Sequence, residues 1–148
     1  MFYIFTAAIN ARTSIMPTHI FPKSQRLKSR KKLQQVFTEG KSVRTKDLRL
    51  VYLAEKNETA DVKCGVGLTT RNFKHAVDRN RIKRLLREAY RLQQHDLKNY
   101  VQDHPLDLSL FLLYTGRELP QYKDIYENVG VVLQKLQKAL HAAVPENT

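Results

Sequence analysis

A small α+β domain, with helices laid on a sheet of short strands, is the fold class this sequence predicts. Three observations lead there. The chain has 148 residues, which is enough for one hydrophobic core and too few for two independent ones. Its hydrophobic share of 42% and charged share of 27% fit a folded globular chain, because a disordered one has too little apolar surface to offset its chain entropy. The apolar periodicities run helix, two strands, helix, strand, helix, with no internal repeat, Gly/Ser linker or low-complexity block between them.

The chain begins with an expected N-terminal extension over residues 1–21, poorly ordered, reading MFYIFTAAINARTSIMPTHIF. It is apolar at the start, but no basic segment precedes the hydrophobic run and Asn10 and Arg12 interrupt it. That is too short to span a bilayer and has the wrong charge order for a secretory signal. Met16 stands just ahead of PTHIFPKSQRLKS as an alternative start, so residues 1–15 are expected to be dispensable. The folded domain is expected over 22–142, with 143–148 as a tail.

Leu27, Leu33, Val36 and Phe37 predict a first helix that starts near Ser29 and is closed by Gly40. LRLVYL at 48–53 and VKCGVGLT at 62–69 are β-rich runs separated by the polar AEKNETAD, and they predict two adjacent antiparallel strands. Gly65 and Gly67 fall two apart on one face of the second strand. Either another backbone or a ligand approaches closely there, or a bulge or a large neighbouring side chain takes the space. The basic segment 76–91, AVDRNRIKRLLREAYR, predicts the next helix, and a polar stretch follows as far as HPLDL. LSLFLLYT at 108–115 is apolar on both faces for most of its length, as expected of a central strand. Gly116 and Pro120 end it, and Ile125, Val129, Val132, Leu133, Leu136 and Leu140 then predict an amphipathic helix over Tyr122–Leu140.

The formal net charge is +12 and has two addresses. Residues 23–32 carry six basic groups and no acid; residues 71–91 carry eight against Asp78 and Glu88. Each segment contributes +6, and the remaining 117 residues balance to zero. Clustered cations repel one another unless a polyanion neutralises them. A merely solvated face would intersperse acids at helical spacing, and an anionic membrane surface would need a large apolar face beside the charge. A nucleic-acid surface fits best.

On a helical wheel, Ile82, Leu85, Leu86 and Ala89 share one side of the basic segment, and Asn80, Arg84, Arg87 and Arg91 the other. Arg81 and Lys83 flank that row. Arg79 lies nearer the buried edge, where its aliphatic stem can pack, and Asp78 can cap or complement the positive helix end. The row from 80 to 91 extends about 16 Å at 1.5 Å per residue, a length that meets several phosphates. Arginine suits this, since its planar fork pairs phosphate through two hydrogen bonds and also stacks on bases.

AVDRNRIKRLLREAYR resembles the RNR signature of the bacterial ribonuclease P protein family, in which a helix opens Arg-Asn-Arg and continues Ile/Val-Lys-Arg-x-x-Arg-Glu. RLKSRKKLQQVFTEGKSV is similar to that family's N-terminal helix and following turn. LRLVYL and CGVGL sit where its strands sit, and the final strand and helix follow in order, so the likeness covers roughly 22–142. It implies a small α/β sandwich similar to the ribosomal protein S5 domain 2-like fold, with a left-handed βαβ crossover that periodicity does not predict. It also implies a division of labour. The protein subunit of ribonuclease P binds a catalytic RNA and the 5′ leader of precursor tRNA, and the RNA, with magnesium bound mainly to itself, hydrolyses the phosphodiester and releases the leader.

Carried over residue by residue, Arg79, Asn80, Arg81, Lys83, Arg84, Arg87 and Arg91 are expected to face the catalytic RNA. Phe37, Arg49, Val51, Arg71 and Lys74 are expected to line a leader-binding cleft between the first helix and the sheet. Valine at 51 stands where an aromatic is common in the family. The turn TTRNFKHAV is one residue shorter than the family's Ser-Lys-Lys-x-Gly-x-Ala-Val, with Lys74 in place of the glycine. Two readings stay open there: an added RNA contact, or a turn that closes differently.

Two rival functions remain. A protein-only nuclease would need its own acid, base or metal ligands, yet His19, His75, His95, His104 and His141 show no His-x-His or Glu-x-x-His spacing and there is one cysteine. His95-Asp96 resembles a phosphohydrolase dipeptide but, on a polar helix end, is more often a solvated pair. A structural RNA-binding protein of a ribonucleoprotein accounts for the charge equally well but not for the ordered likeness along the chain. Cys64 cannot form an internal disulfide, so a reducing, cytoplasmic setting is expected. Neither a membrane nor an obligate protein partner is expected.

Overall fold

The structure is a computed structural model and describes residues 23–56 and 60–143. The expected extension over 1–21, with its dispensable first fifteen residues and His19, and residues 144–148 lie outside the described residues; Ala143, expected to open the 143–148 tail, is the last residue of the final helix instead. A 3₁₀ turn at Lys23–Gln25 leads into α1 (Arg30–Glu39), followed by β1 (Lys41–Arg44), β2 (Leu48–Lys56) and β3 (Asp61–Leu68). A second 3₁₀ turn at Thr70–Asn72 precedes α2 (Ala76–Gln93), α3 (His95–Asp103), β4 (Leu106–Tyr114) and α4 (Tyr122–Ala143).

Local chemistry fixes the first helix. Ser29 is extended and its hydroxyl accepts a hydrogen bond from the Lys32 N–H at 3.3 Å, satisfying a donor that the helix leaves open. Gly40 closes α1, donating its N–H to the Val36 carbonyl at 2.9 Å. Its backbone is extended, so the position is not a left-handed turn. A Cβ at Gly40 would stand 2.5 Å from the Tyr52 carbonyl oxygen and closer still to that of Val36, so glycine is required by close passage over β2.

The four strands form one sheet in the order β1-β2-β4-β3. β1 pairs with β2, and β2 with β4, in antiparallel fashion, whereas β3 pairs with β4 in parallel. The expectation that β2 and β3 are adjacent antiparallel strands is therefore corrected: β4 lies between them. The chain's most apolar strand takes the place where both edges are paired, one face fully buried and the other partly covered by α1, as its two apolar faces demand. β3, α2, α3 and β4 make the βαβ unit.

Two further elements differ from expectation. Residues 95–103 form α3 rather than a polar connection, held by Leu97 and Val101, one turn apart and both buried. Two aliphatic residues and one tyrosine in nine leave little periodic signal. β1 has only Val43 as an apolar residue and takes its structure from pairing with β2.

The sheet separates two cores. Leu48, Leu50 and Tyr52 of β2 and Leu108, Leu110, Leu112 and Tyr114 of β4 face α2, α3 and α4, where Ile82, Leu86, Leu97, Ile125, Val129 and Leu136 are fully buried. A smaller core of Leu27, Val36 and Val51, with Leu33 and Leu53 against it, fixes α1 to the other face. Leu27 also ties its segment to the β3 edge, donating to the Cys64 carbonyl at 3.0 Å.

Candidate nucleic-acid interface

α2 is sorted as its sequence predicts. Ile82, Leu86 and Ala89 are buried, joined by Tyr90, and Leu85 packs at their margin. Asn80, Arg81 and Arg84 are exposed, with Lys83, Arg87 and Arg91 partly so. Among the described residues, Asn80, Arg81, Lys83, Arg84 and Arg87 have no side-chain hydrogen bond or ion pair, so the helix presents uncompensated cations. Arg91 is paired with Glu88 one turn back, through Nε at 3.2 Å and a closer terminal nitrogen contact. Asp78 lies in the first turn and complements the helix dipole without capping it, because His75 is the N-cap residue and makes no side-chain cap bond.

Arg79 points elsewhere. One guanidinium nitrogen donates to the carbonyls of Phe73 at 2.9 Å and Lys74 at 2.8 Å. Its charge thus holds the turn before α2 instead of joining the outward row. Asn72 anchors the same turn by donating to the Gly116 carbonyl at 3.2 Å, and Phe73 packs into the core against Tyr114, ring centroids 6.2 Å apart. The shortened turn closes by these bonds. Among the described residues no non-glycine has a positive φ, so Lys74 stands unstrained where the family pattern has glycine. Its side chain and that of Arg71 are exposed on the way from the end of β3 into α2.

The opposite face of the sheet is only partly covered by α1. Val51, expected to line the cleft, is 2% exposed beneath Leu27 and Val36 and serves as packing. Phe37, on the outer flank of α1, is 46% exposed, and its ring meets Phe111 of β4 edge to face with centroids 5.1 Å apart. Gly65 and Gly67 lie under Phe111: a Cβ on either would approach the ring to 2.9 or 2.7 Å. Of the readings open for this glycine pair, a large neighbour filling the gap is the one realised. Arg49 shares this face, and its buried Nε has no hydrogen-bond partner among the described residues. Arg44 of β1 is its register partner. Like charges set directly opposite are destabilising until an anion joins them.

Phe111 and Arg44 lie on this face beside Phe37 and Arg49, and the sequence revealed neither. Phe111 hides within an apolar run, and only the two glycines hinted that a ring needed room. Arg44 sits on a strand with no periodic signal, and its pairing with Arg49 is a matter of register.

Chemistry by side chains has less support. His75 and His95 are exposed at helix starts, and His104 stacks on Tyr100 with centroids 4.5 Å apart. Among the described residues no group of three or more His, Cys, Asp or Glu comes together to hold a metal ion, and no helix is long and apolar enough to cross a membrane.

Comparison with known proteins agrees with this geometry. The family model for Ribonuclease P matches residues 21–137. The ribonuclease P protein component of Porphyromonas gingivalis strain W83 is 36% identical over 110 residues, spanning 74% of this chain and 80% of that protein. That of Saccharophagus degradans is 34% identical over 130 residues, spanning 86% and 91%. The Staphylococcus aureus RNase P protein structure superposes with a TM-score of 0.56 at 20% identity, covering 77% of this chain and 96% of that one, which supports the fold. The chain belongs to the ribonuclease P protein component family.

Proposed function

We propose that this chain is the protein subunit of ribonuclease P, binding the catalytic RNA through α2 and the 5′ leader of precursor tRNA in the cleft beside α1. In that role it supports endonucleolytic removal of the leader to give the mature tRNA 5′ end. The observation that carries the reading is one domain offering two uncompensated cationic surfaces on opposite faces of one sheet. On α2 these are Arg81, Lys83, Arg84 and Arg87, with Asn80 among them; in the cleft, Arg44 and Arg49 lie beside Phe37 and Phe111.

As a member of this family the chain is a component of an endoribonuclease holoenzyme, and the catalytic site belongs to the RNA. In support, the outward polar groups of both surfaces are arginines, a lysine and an amide, a set that binds phosphate oxygens and holds no histidine or carboxylate to serve as a general base or as an anionic metal ligand. Magnesium is therefore assigned mainly to the RNA subunit, where it supplies the charge that activates water and stabilises the leaving oxygen. Contacts to phosphate position a strand without reading its sequence, which suits a subunit serving many precursors. The leader is held as a single strand, its bases against Phe37 and Phe111 and its backbone near Arg49, whose Nε gains an acceptor. Arg71 and Lys74 extend the cationic path towards α2. Arg79 supports the site by fixing the turn. The reducing setting implied by a lone buried thiol favours the cytoplasm.

The test is 5′ leader cleavage of a precursor tRNA at low magnesium, comparing the organism's own ribonuclease P RNA alone, this protein alone, and both together. Cleavage only in the mixture is expected. Cleavage by the protein alone would place the chemistry in this chain and overturn the assignment; an inert mixture beside an active control enzyme would leave a general RNA-binding protein.

A further inference from the structure

Beside the outer face of α2, the first turns of α4 carry two tyrosines that the core does not use. Tyr122 is 36% exposed and Tyr126 39%, and their rings touch with centroids 5.9 Å apart and planes tilted by 49°. Neither hydroxyl has a hydrogen-bond partner among the described residues. Leu119, just ahead of the helix, is 46% exposed. Singly exposed apolar groups need no explanation; two rings in contact at the margin of a basic helix do.

Their position is fixed by the packing of α2 on α4. Gln93 of α2 donates to the Tyr126 carbonyl at 2.9 Å and lies over Gly130, where a Cβ would come within 2.6 Å of its amide oxygen. The glycine lets the helices close at this point and sets the tyrosines along the flank of α2. Tyr122 also stands within electrostatic reach of the Glu88–Arg91 pair: burial first, then Glu88 and Tyr126, raise its pKa, and Arg91 lowers it. Glu118 of the preceding loop and Asp124 in the first turn of α4 line a separate cavity with Tyr114 and Asp47. The aromatic surface therefore meets α2 at the Glu88–Arg91 pair, at the C-terminal end of the basic row.

We infer that Tyr122 and Tyr126 form a stacking platform for unpaired bases of the RNA whose phosphates lie along α2. The inference rests on the function proposed above and extends it to a second kind of contact on a second helix. A strand crossing Arg84 and Arg87 onto α4 meets ring faces where the cations end. This combination of a cationic track and aromatic faces is one that single-stranded nucleic acid uses without regard to sequence. A protein partner would find too little here, as the exposed apolar groups are few and bordered by charge.

The test measures binding of the full-length protein to the organism's transcribed ribonuclease P RNA across a series of salt concentrations. It compares wild type with the Tyr122→Leu/Tyr126→Leu and Tyr122→Phe/Tyr126→Phe double variants. Leucine keeps apolar bulk without a π face, so affinity is expected to fall about tenfold, in line with loss of base–aromatic stacking. The phenylalanine variant should bind within about twofold of wild type, because its ring faces remain. The slope of log K against log salt should not change, since stacking releases no counterions. Wild-type affinity in the leucine variant overturns the platform; so does equal loss in both variants, which points to the hydroxyls, or a slope altered by about one unit or more, which points to displaced cations. If the double leucine variant melts early, Tyr126→Leu alone carries the same test with a loss of about threefold expected. A wild-type protein that does not bind this RNA fails the proposed function itself, and that is seen before any variant is compared.

Discussion

Phe111 lies between Gly65 and Gly67 below and Phe37 above, its ring meeting that of Phe37 at 62° with centroids 5.1 Å apart. The pair bridges α1 and the sheet on the face that α1 covers only in part, and its geometry depends on two missing side chains. In Gly67→Ala the new Cβ would sit 2.7 Å from the ring tip, so the ring must tilt towards Phe37. Overpacking of this kind costs about 1–3 kcal/mol of stability. Precursor tRNA with its leader should also bind the holoenzyme less tightly, by about 1 kcal/mol for one disturbed stacking contact, while mature tRNA binds as before. Equal losses for both ligands would show that the ring pair does not touch the leader.

Arg79 and Arg84 stand five residues apart in one motif and do different work, and paired alanine substitutions separate them. Arg84 has no side-chain partner among the described residues. Arg84→Ala should leave thermal stability within about 0.5 kcal/mol and lower the salt slope of RNA binding by about one unit. Arg79→Ala removes two charge-assisted bonds, to Phe73 and Lys74. It should cost about 1.5–3 kcal/mol and change the salt slope less than Arg84→Ala does. If the two variants exchange these signatures, the roles assigned here are reversed.

The two sides of α2 make a parallel contrast in stability. Leu86 is fully buried, whereas Val77, at the helix start, is 77% exposed. Leu86→Ala should lower the free energy of unfolding in urea by about 2–5 kcal/mol, and Val77→Ala should change it by no more than about 0.5 kcal/mol. A Leu86→Ala protein of wild-type stability would mean that the helix is rotated from the orientation described.

What the sequence disclosed, and what it withheld, divides along physical lines. α2 and α4 were legible because a 3.6-residue period over many turns records which side is buried, and the same record sorted Asn80, Arg84 and Arg87 outward. It also placed Arg79 near the buried edge, and the structure supplies the carbonyls that hold it there. β4 was legible as a central strand from two apolar faces. Strand adjacency was not: alternation says which face is buried but nothing of the neighbour across the ladder, so β2 and β3 read as partners although β4 intervenes. The face under α1 shows the same limit. Phe37 and Arg49 were named for the cleft only through the family resemblance, and the contact of Phe37 with Phe111, the apposition of Arg44 and Arg49 and the burial of Val51 each depend on register or on the crossing of α1. α3 escaped notice because Leu97 and Val101 are too few to set a period.

Alkaline pH probes the core through its phenols and its thiol. Tyr114 is almost fully buried and donates its hydroxyl to the Glu118 carbonyl at 2.9 Å. Burial first, then the negative charges of Asp47, Asp124 and Glu118, push its pKa up to about 12. Burial likewise raises Tyr90, with Cys64 adding to it, and raises the Cys64 thiol and Tyr52. In the unfolded chain a tyrosine ionises near pH 10 and a cysteine near about 8.5. Above those values the unfolded state releases protons that the native state retains, so this contribution to stability is complete below them and is lost as pH rises towards the folded pKa values. The urea midpoint should fall between pH 10 and 12, the interval set by the ordinary and raised values of Tyr114. Tyr114→Phe should be less stable than wild type at pH 8, lacking the bond to Glu118, and should lose less between pH 10 and 12. Parallel decline of the two proteins over that interval would mean that Tyr114 titrates as it does in the unfolded chain, and that the base of the 115–121 loop is open to water.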